Sequence, residues 1–241
     1  GARQRAERGE SVWPSDFAKR SRRAVEEIRR RRISINYKCG ETKCSPEVDF
    51  NKMTGGMRMV YYRDGGLIIR TMESGDASRL SAAETAQGWH PTEEKHRMRL
   101  SDMAAGKCCA LCAEVGGEPV GYISVYFEPT IGPFSGDGRC ELVDFSVLEK
   151  FRRRGIGSKL MDTAEKIAGE YWDDHSKGKS SRRGVWLGVG LHPGYGAAQR
   201  LYVKRGYIPD GSGAWYDDKI AEQYETYPLD DSLIIYMEKD L

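Results

Sequence analysis

The segment Arg152-Arg153-Arg154-Gly155-Ile156-Gly157-Ser158 concentrates the chemistry this chain can do. An apolar run ending near Val147 and Leu148 leads into it, and an amphipathic run leads out. The first turn of a helix offers unpaired N–H groups and the positive end of the helix dipole. Glycines there remove side chains that would hold a phosphate off, and three arginines add charge and donors. A strand, a basic glycine turn and a helix start together make a cradle for a diphosphate. It is not the dinucleotide fingerprint, because Leu160 stands where the third glycine of G-x-G-x-x-G belongs, and it lacks the G-K-[ST] of a P-loop. The plainer alternative is a helix N-terminus with a solvated basic turn.

Upstream lie two acids, Glu141 and Asp144. A carboxylate on a central strand is half-buried, which raises its pKa toward useful basicity; a surface salt bridge is the plainer role. Strand alternation puts Asp144 on the face opposite Glu141, as a structural or acceptor-side residue. The four histidines offer less. His90 precedes Pro91 and reads as a cap, His96 as part of a solvated helix face, and His175 as a loop residue. His192, before Pro193, could line a site. No H-E-x-x-H or similar ligand spacing exists, so no metal is expected. Of the six cysteines, Cys109 and Cys112 form a C-x-x-C with no matching second pair. Free, reduced, mostly buried thiols are expected, with a zinc site at Cys39 and Cys44 as the alternative.

The elements that must position these groups follow from periodicity. Strands are expected over residues 67–72, 108–115, 119–127, 140–148, 185–191, from 207 onward, and over 233–238. Helices are expected over 76–87, 91–105, 155–172 and 196–205, with Gly116-Gly117 as a hairpin turn and 173–183 as a polar loop. Strands alternate with helices but include hairpins, so the expected class is α/β (α+β): a mixed central sheet flanked by helices. Residues 15–32 carry a thin apolar stripe and read as a basic helix, and residues 33–58 as a linker. The expected division is a basic N-terminal extension over 1–58 and a compact domain over 59–241.

Arg152 to Gly157 as R-x-x-G-x-G, between a strand and an amphipathic helix, resembles the acetyl-CoA motif of the GNAT (Gcn5-related N-acetyltransferase) superfamily. After the strand at 185–191, Ala198-Gln199-Arg200-Leu201-Tyr202 followed by Gly206-Tyr207 resembles that family's A-x-x-L-Y-x-x-x-G-F. The resemblance covers roughly residues 67–241. It implies a GNAT-like, mostly antiparallel sheet and transfer of an acetyl group from acetyl-CoA to a primary amine. It implies that Glu141 is the general base, usually through water, and that Tyr202 is the acid near the cofactor sulfur, where helix packing is its plainer role. It implies an oxyanion donor at the N–H of Phe145 and pantetheine pairing at Val147. The cradle of Arg152, Arg153, Arg154, Gly155, Gly157 and Ser158 would hold the diphosphate. The family often has Asn three residues before the Ala; here Tyr195 takes that place, so that contact is not carried over.

Composition narrows the classes. With 39% hydrophobic and 31% charged residues and no apolar run near the ~18 of a spanning helix, the 241-residue chain is neither a membrane protein nor wholly disordered. A cytoplasmic protein is expected, as a monomer or homodimer. The net charge of +2 conceals an asymmetry: residues 1–58 carry 15 Lys and Arg against 8 Asp and Glu, and the rest 23 against 28. The basic arm raises a nucleic-acid-binding alternative, but aromatic residues in it are sparse, and nucleic acid is not the expected partner. A non-catalytic acyl-CoA sensor is the other alternative. From Trp215 to Ser232 six acids face one lysine, with Trp215, Tyr216, Tyr224 and Tyr227 interleaved. That mixture, with Trp89 between the first two helices, suits a small cationic amine as acceptor rather than a protein lysine, although an ordinary solvated loop would look the same.

Overall fold

The computed structural model describes residues 58–90, 93–175 and 182–241. The expectations for residues 1–57, the basic helix over 15–32 and the thiols of Cys39 and Cys44 among them, lie outside the described residues. The strands are β1 (Val60–Asp64), β2 (Leu67–Thr71), β3 (Cys108–Val115), β4 (Glu118–Tyr126), β5 (Cys140–Val147), β6 (Gly184–Gly190), β7 (Ile208–Tyr216), β8 (Lys219–Ile220) and β9 (Leu233–Asp240). The helices are α1 (Ser74–Ala86), α2 (Glu93–Ala104), α3 (Ile156–His175) and α4 (Gly196–Arg205). One nine-stranded sheet runs β1-β2-β3-β4-β5-β6-β9-β7-β8, antiparallel throughout except where β5 meets β6.

The centre of the sheet follows from β3, whose first seven residues are all buried. Alternation sends Cys109, Leu111 and Ala113 into a core with Leu160, Met161, Ala164 and Ile167 of α3. Cys108, Ala110 and Cys112 go to the other face, with Leu80 of α1 and Met103 of α2. Cys109 and Cys112 therefore point away from each other, which disposes of the C-x-x-C as a pair; all four described cysteines are free and buried. Gly116 and Gly117, at φ +59° and +81°, close the β3–β4 hairpin in the two-residue geometry that demands positive φ. α4 packs on the α3 face through Ala198, Leu201 and Tyr202.

A buried ion network ties the start of the domain together. Arg70 on β2, 1% exposed, donates to both carboxylate oxygens of Asp76 (2.5 and 2.9 Å), to Glu114 (2.8 Å) and to the Thr71 carbonyl (3.0 Å). Arg58 adds contacts to Glu73 (2.9 Å) and Glu114 (3.1 Å).

Two features of β5 position the site. Between the Tyr122–Ser146 and Ser124–Val143 pairs, β5 carries one residue more than β4, and Asp144 there has φ +56°. This is a β-bulge, which bends the strand and resets its alternation. On its other edge β5 pairs with β6 only at Cys140–Val185 and Glu141–Trp186. Beyond that point β6 continues with β9 alone, and β5 keeps β4. Two expectations are corrected at the edges: residues 60–64 form a strand rather than sequence ahead of the first strand, and α3 runs on to His175 rather than stopping at Trp172.

Candidate functional site

A cleft of about 1910 Å³ opens where β5 and β6 part. Drug-sized ligands fill roughly 300–1,000 Å³, so this space admits two reactants together. Its lining joins residues far apart in sequence: Trp89 after α1, Lys95 and Arg99 of α2, all of β5 from Glu141 to Val147, the turn into α3, and Tyr195 to Lys204. Among the described residues no three His, Cys, Asp or Glu are grouped to hold a metal, and no helix is long and apolar enough to cross a membrane.

One end is basic. Arg152, Arg153, Gly155, Gly157 and Ser158 all line it, joined by Arg200 and Lys204 one helical turn apart on α4. Arg153, at φ +63°, and Gly155, at φ +81°, take left-handed backbone on either side of Arg154, and α3 begins directly after them with the unpaired N–H groups of its first turn. Arg152 Nε donates to the Val147 carbonyl (3.0 Å), and its guanidinium lies 5.3 Å from the centre of the Trp89 ring. Arg153, Arg200 and Lys204 form no ion pair with any described residue. The two glycines serve different needs. A Cβ on Gly155 would meet nothing, so its conformation is the constraint, whereas a Cβ on Gly157 would come 3.0 Å from the Phe145 ring. Gly157 thus lets α3 seat against β5. Arg154 does not line the cleft; its guanidinium lies 5.3 Å from the Phe151 ring centre.

The other end holds Glu141. It sits at the last rung of the β5–β6 pairing, and its carboxylate makes no hydrogen bond or ion pair with a described residue. Burial pushes its pKa up to about 8; the Arg99 cation pulls down against this, while Asp218 and Asp144 push up. Asp144 shares the cleft with Glu141, contrary to the alternation expected from sequence, because the bulge intervenes. Arg99 compensates Asp144 at 2.5 Å and also donates to the Tyr126 hydroxyl (2.7 Å).

Tyr202 is 5% exposed, lies in the cleft wall, and packs beside Phe145 with ring centres 6.1 Å apart. Burial, then the neighbouring Tyr195, raises its pKa, so the phenol keeps its proton. Tyr195 covers Gly190, where a Cβ would strike its ring at 2.3 Å, and donates to Asp231 (3.0 Å). His192 lines the cleft as well. Its Nδ1 accepts from the Gly194 N–H (3.0 Å), so Nε2 carries the proton donated to Asp231 (2.9 Å).

The sequence reading missed a buried trio. His96 is 1% exposed, not on a solvated face, and its Nε2 meets Glu84 at 3.1 Å. The Tyr122 hydroxyl donates to the same carboxylate and accepts from Lys95 Nζ (2.9 Å). Burial alone would raise Glu84, but the His96 and Tyr122 hydrogen bonds hold its carboxyl below the usual range. The polar run Glu93 to Arg99 carries no sign of this, since the partner comes from another helix, whereas the basic pair Arg200 and Lys204 shows itself by a spacing of four on one helix face.

The model of the Acetyltransferase (GNAT) family matches residues 77–207. No curated protein matches the sequence. Among solved structures, Ard1 from Thermoplasma volcanium is 20% identical with a TM-score of 0.51, covering 73% of this chain and 98% of its own. RimL, named as a ribosomal L7/L12 alpha-N-protein acetyltransferase, is 13% identical with a TM-score of 0.54, covering 78% of this chain and 97% of its own. An acetyl transferase from Salmonella typhimurium, named as modifying the N-terminal serine of L7/L12, is 12% identical with a TM-score of 0.50, covering 76% and 99%. At these identities the likeness is one of fold.

Proposed function

This chain belongs to the acetyltransferase (GNAT) family, and from that premise we propose that Glu141 and Tyr202 carry proton transfer to and from a primary amine acetylated in the β5–β6 cleft. The enzyme is an acetyl-CoA-dependent N-acetyltransferase. Bound acetyl-CoA supplies the activated thioester; its diphosphate suits the basic turn at Arg152, Arg153, Gly155, Gly157 and Ser158, with Arg200 and Lys204 alongside and Arg154 outside the lining. The free edge of β5 past Glu141 offers backbone groups for the pantetheine amides at Val147 and for the carbonyl oxygen at the Phe145 N–H.

The observation that carries the proposal is the state of Glu141. It is a carboxylate with no described partner, at the point where the strands part, with a pKa of about 8. A base is most useful when its pKa lies near the working pH. Glu141 takes the ammonium proton directly or through one water, and Tyr202, still protonated, gives its proton to the departing thiolate.

The cleft is polarised: Arg153, Arg200 and Lys204 stand at the turn, and at the other end Arg99 is taken up by Asp144 while Glu141 and Asp218 form no ion pair with a described residue. This supports a small cationic amine as acceptor. A second reading, a protein N-terminus, draws support from the names of the structural relatives and from Tyr224 and Leu229, 82% and 62% exposed in the loop whose end reaches the cleft. Thiol release from acetyl-CoA against a panel of amines, polyamines, aminoglycosides and peptides decides between them. A sensor without turnover would release thiol with none.

A further inference from the structure

We propose that Asp218 is a specificity residue that binds a second cationic group of the acceptor, so that the preferred substrate is a diamine or a comparably dicationic amine. The inference rests on the reading of Glu141 as the base.

Of the carboxylates lining the acceptor end, Asp144 is paired with the Arg99 cation, Asp231 accepts from His192 and Tyr195, and Glu84 accepts from Tyr122 and meets His96. Glu141 and Asp218 remain, each lining the cleft without a hydrogen bond or ion pair to a described residue. Two unmatched carboxylates facing one cleft repel each other, and a ligand bearing two positive charges relieves both. The reacting ammonium answers Glu141 until it gives up its proton, and a second ammonium answers Asp218 throughout. Tyr236, 4% exposed, lines the same cleft, its phenol made harder to ionise by burial first and then by Glu141, Asp218 and Asp210. Its ring packs at a steep angle to Trp186 (ring centres 5.4 Å apart) and Trp215 (5.1 Å), which hold it in the cleft wall.

The backbone shows what Asp218 is not there to do. Asp217 and Asp218 are the two turn residues between Tyr216 of β7 and Lys219 of β8, at φ +45° and +62°. Such a turn favours glycine at its second position. A side chain at 218 is therefore no help to the hairpin.

The test compares 1,4-diaminobutane with butylamine, using acetyl-CoA and thiol release, in wild type, Asp218→Asn and Asp218→Gly. Wild type should prefer the diamine by about tenfold or more in kcat/KM, the worth of one charged contact. Both variants should lose that preference, mainly through KM for the diamine, while butylamine, compared on the plateau above the alkaline rise, changes by less than about threefold. Asp218→Gly should keep or raise Tm, so its loss cannot be blamed on folding. Around Glu141 stand Asp144 on its own strand, Arg99 on α2, Tyr236 on β9 and Asp218 on the turn. Removing the last should move the alkaline rise of kcat/KM for butylamine to lower pH. Wild type that acetylates butylamine as well as the diamine, or that fails on the diamine, overturns the inference, as does an Asp218→Asn that keeps the preference. Thiol release that survives Glu141→Gln undiminished fails the reading of the base, separately from Asp218.

Discussion

Glu141 and Trp186 are the last residues paired across the one parallel junction of the sheet. Their carboxylate and indole leave the same side of the ladder, because neighbours in register share a face. The base thus hangs at the brink of the cleft, with the fixed end of the strand behind it. Glu141→Gln should lower kcat by about 10²–10⁴-fold while leaving CoA binding intact by calorimetry. In wild type, kcat/KM should climb as pH rises through about 8, where Glu141 ionises, and the variant should lack that step. A variant as fast as wild type moves the base to another group.

The same carboxyl carries a stability signature opposite to that of most acids. Its folded pKa, about 8, lies above its ordinary 4.5, so the folded state holds the proton more tightly. Stability from this group is complete below pH 4.5 and is lost as pH rises to 8, at no more than about 1.4 kcal/mol per unit. That is an upper limit, since the carboxylate faces cleft water. Glu141→Gln should therefore match wild type in Tm near pH 4.5 and exceed it at pH 8.5. A constant difference across that range would remove burial as the cause.

Gly155 and Gly157 should respond differently to a methyl group. Gly155→Ala is strained by φ +81° and should cost about 1 kcal/mol or more of stability, with weaker CoA binding as the turn relaxes. Gly157→Ala presses on Phe145 at 3.0 Å and should disturb the seating of α3 on β5. Its Tm should fall with turnover. Urea unfolding beside CoA titration separates the two.

Breaking the Arg70 network should be among the costliest changes outside the cleft. Asp76→Ala leaves a guanidinium that is 1% exposed short of its bidentate partner, and about 3–5 kcal/mol of stability should go with it. Replacing Arg70, Asp76 and Glu114 together by apolar residues should restore part of the loss.

A chain beginning at residue 58 should fold, bind CoA and turn over, since every group placed in the cleft lies beyond residue 83. Starting at 59 deletes Arg58 and its contacts to Glu73 and Glu114, at a further cost of about 1 kcal/mol or less. Loss of activity on removing residues 1–57 would assign that segment a part in the site.

What was legible in the sequence was whatever is locally encoded. β3 over Cys108–Val115 and α4 over Gly196–Arg205 match the expected bounds, because an unbroken apolar run and a glycine-terminated helix carry their own limits. β1 escaped because Val60-Tyr61-Tyr62-Arg63-Asp64 has no period of two. The bulge at Asp144 escaped because nothing in Leu142-Val143-Asp144-Phe145 marks an extra residue; only the partner strand reveals it. His96 escaped for the same reason, its burial depending on Glu84 in another helix.

Mechanically, the sheet is two panels. β1 to β5 make one and β6, β9, β7 and β8 the other, stitched by two residue pairs at Cys140 and Glu141. α3 lies across the seam as a splint, touching β2 through β6. A load that pulled the panels apart would meet that short ladder, the α3 splint and the Arg139–Glu238 ion pair (2.7 Å) running from the start of β5 to β9. The residue at the open end of that seam is Glu141, and any opening of the panels is registered there as a change in the solvation of a single carboxyl.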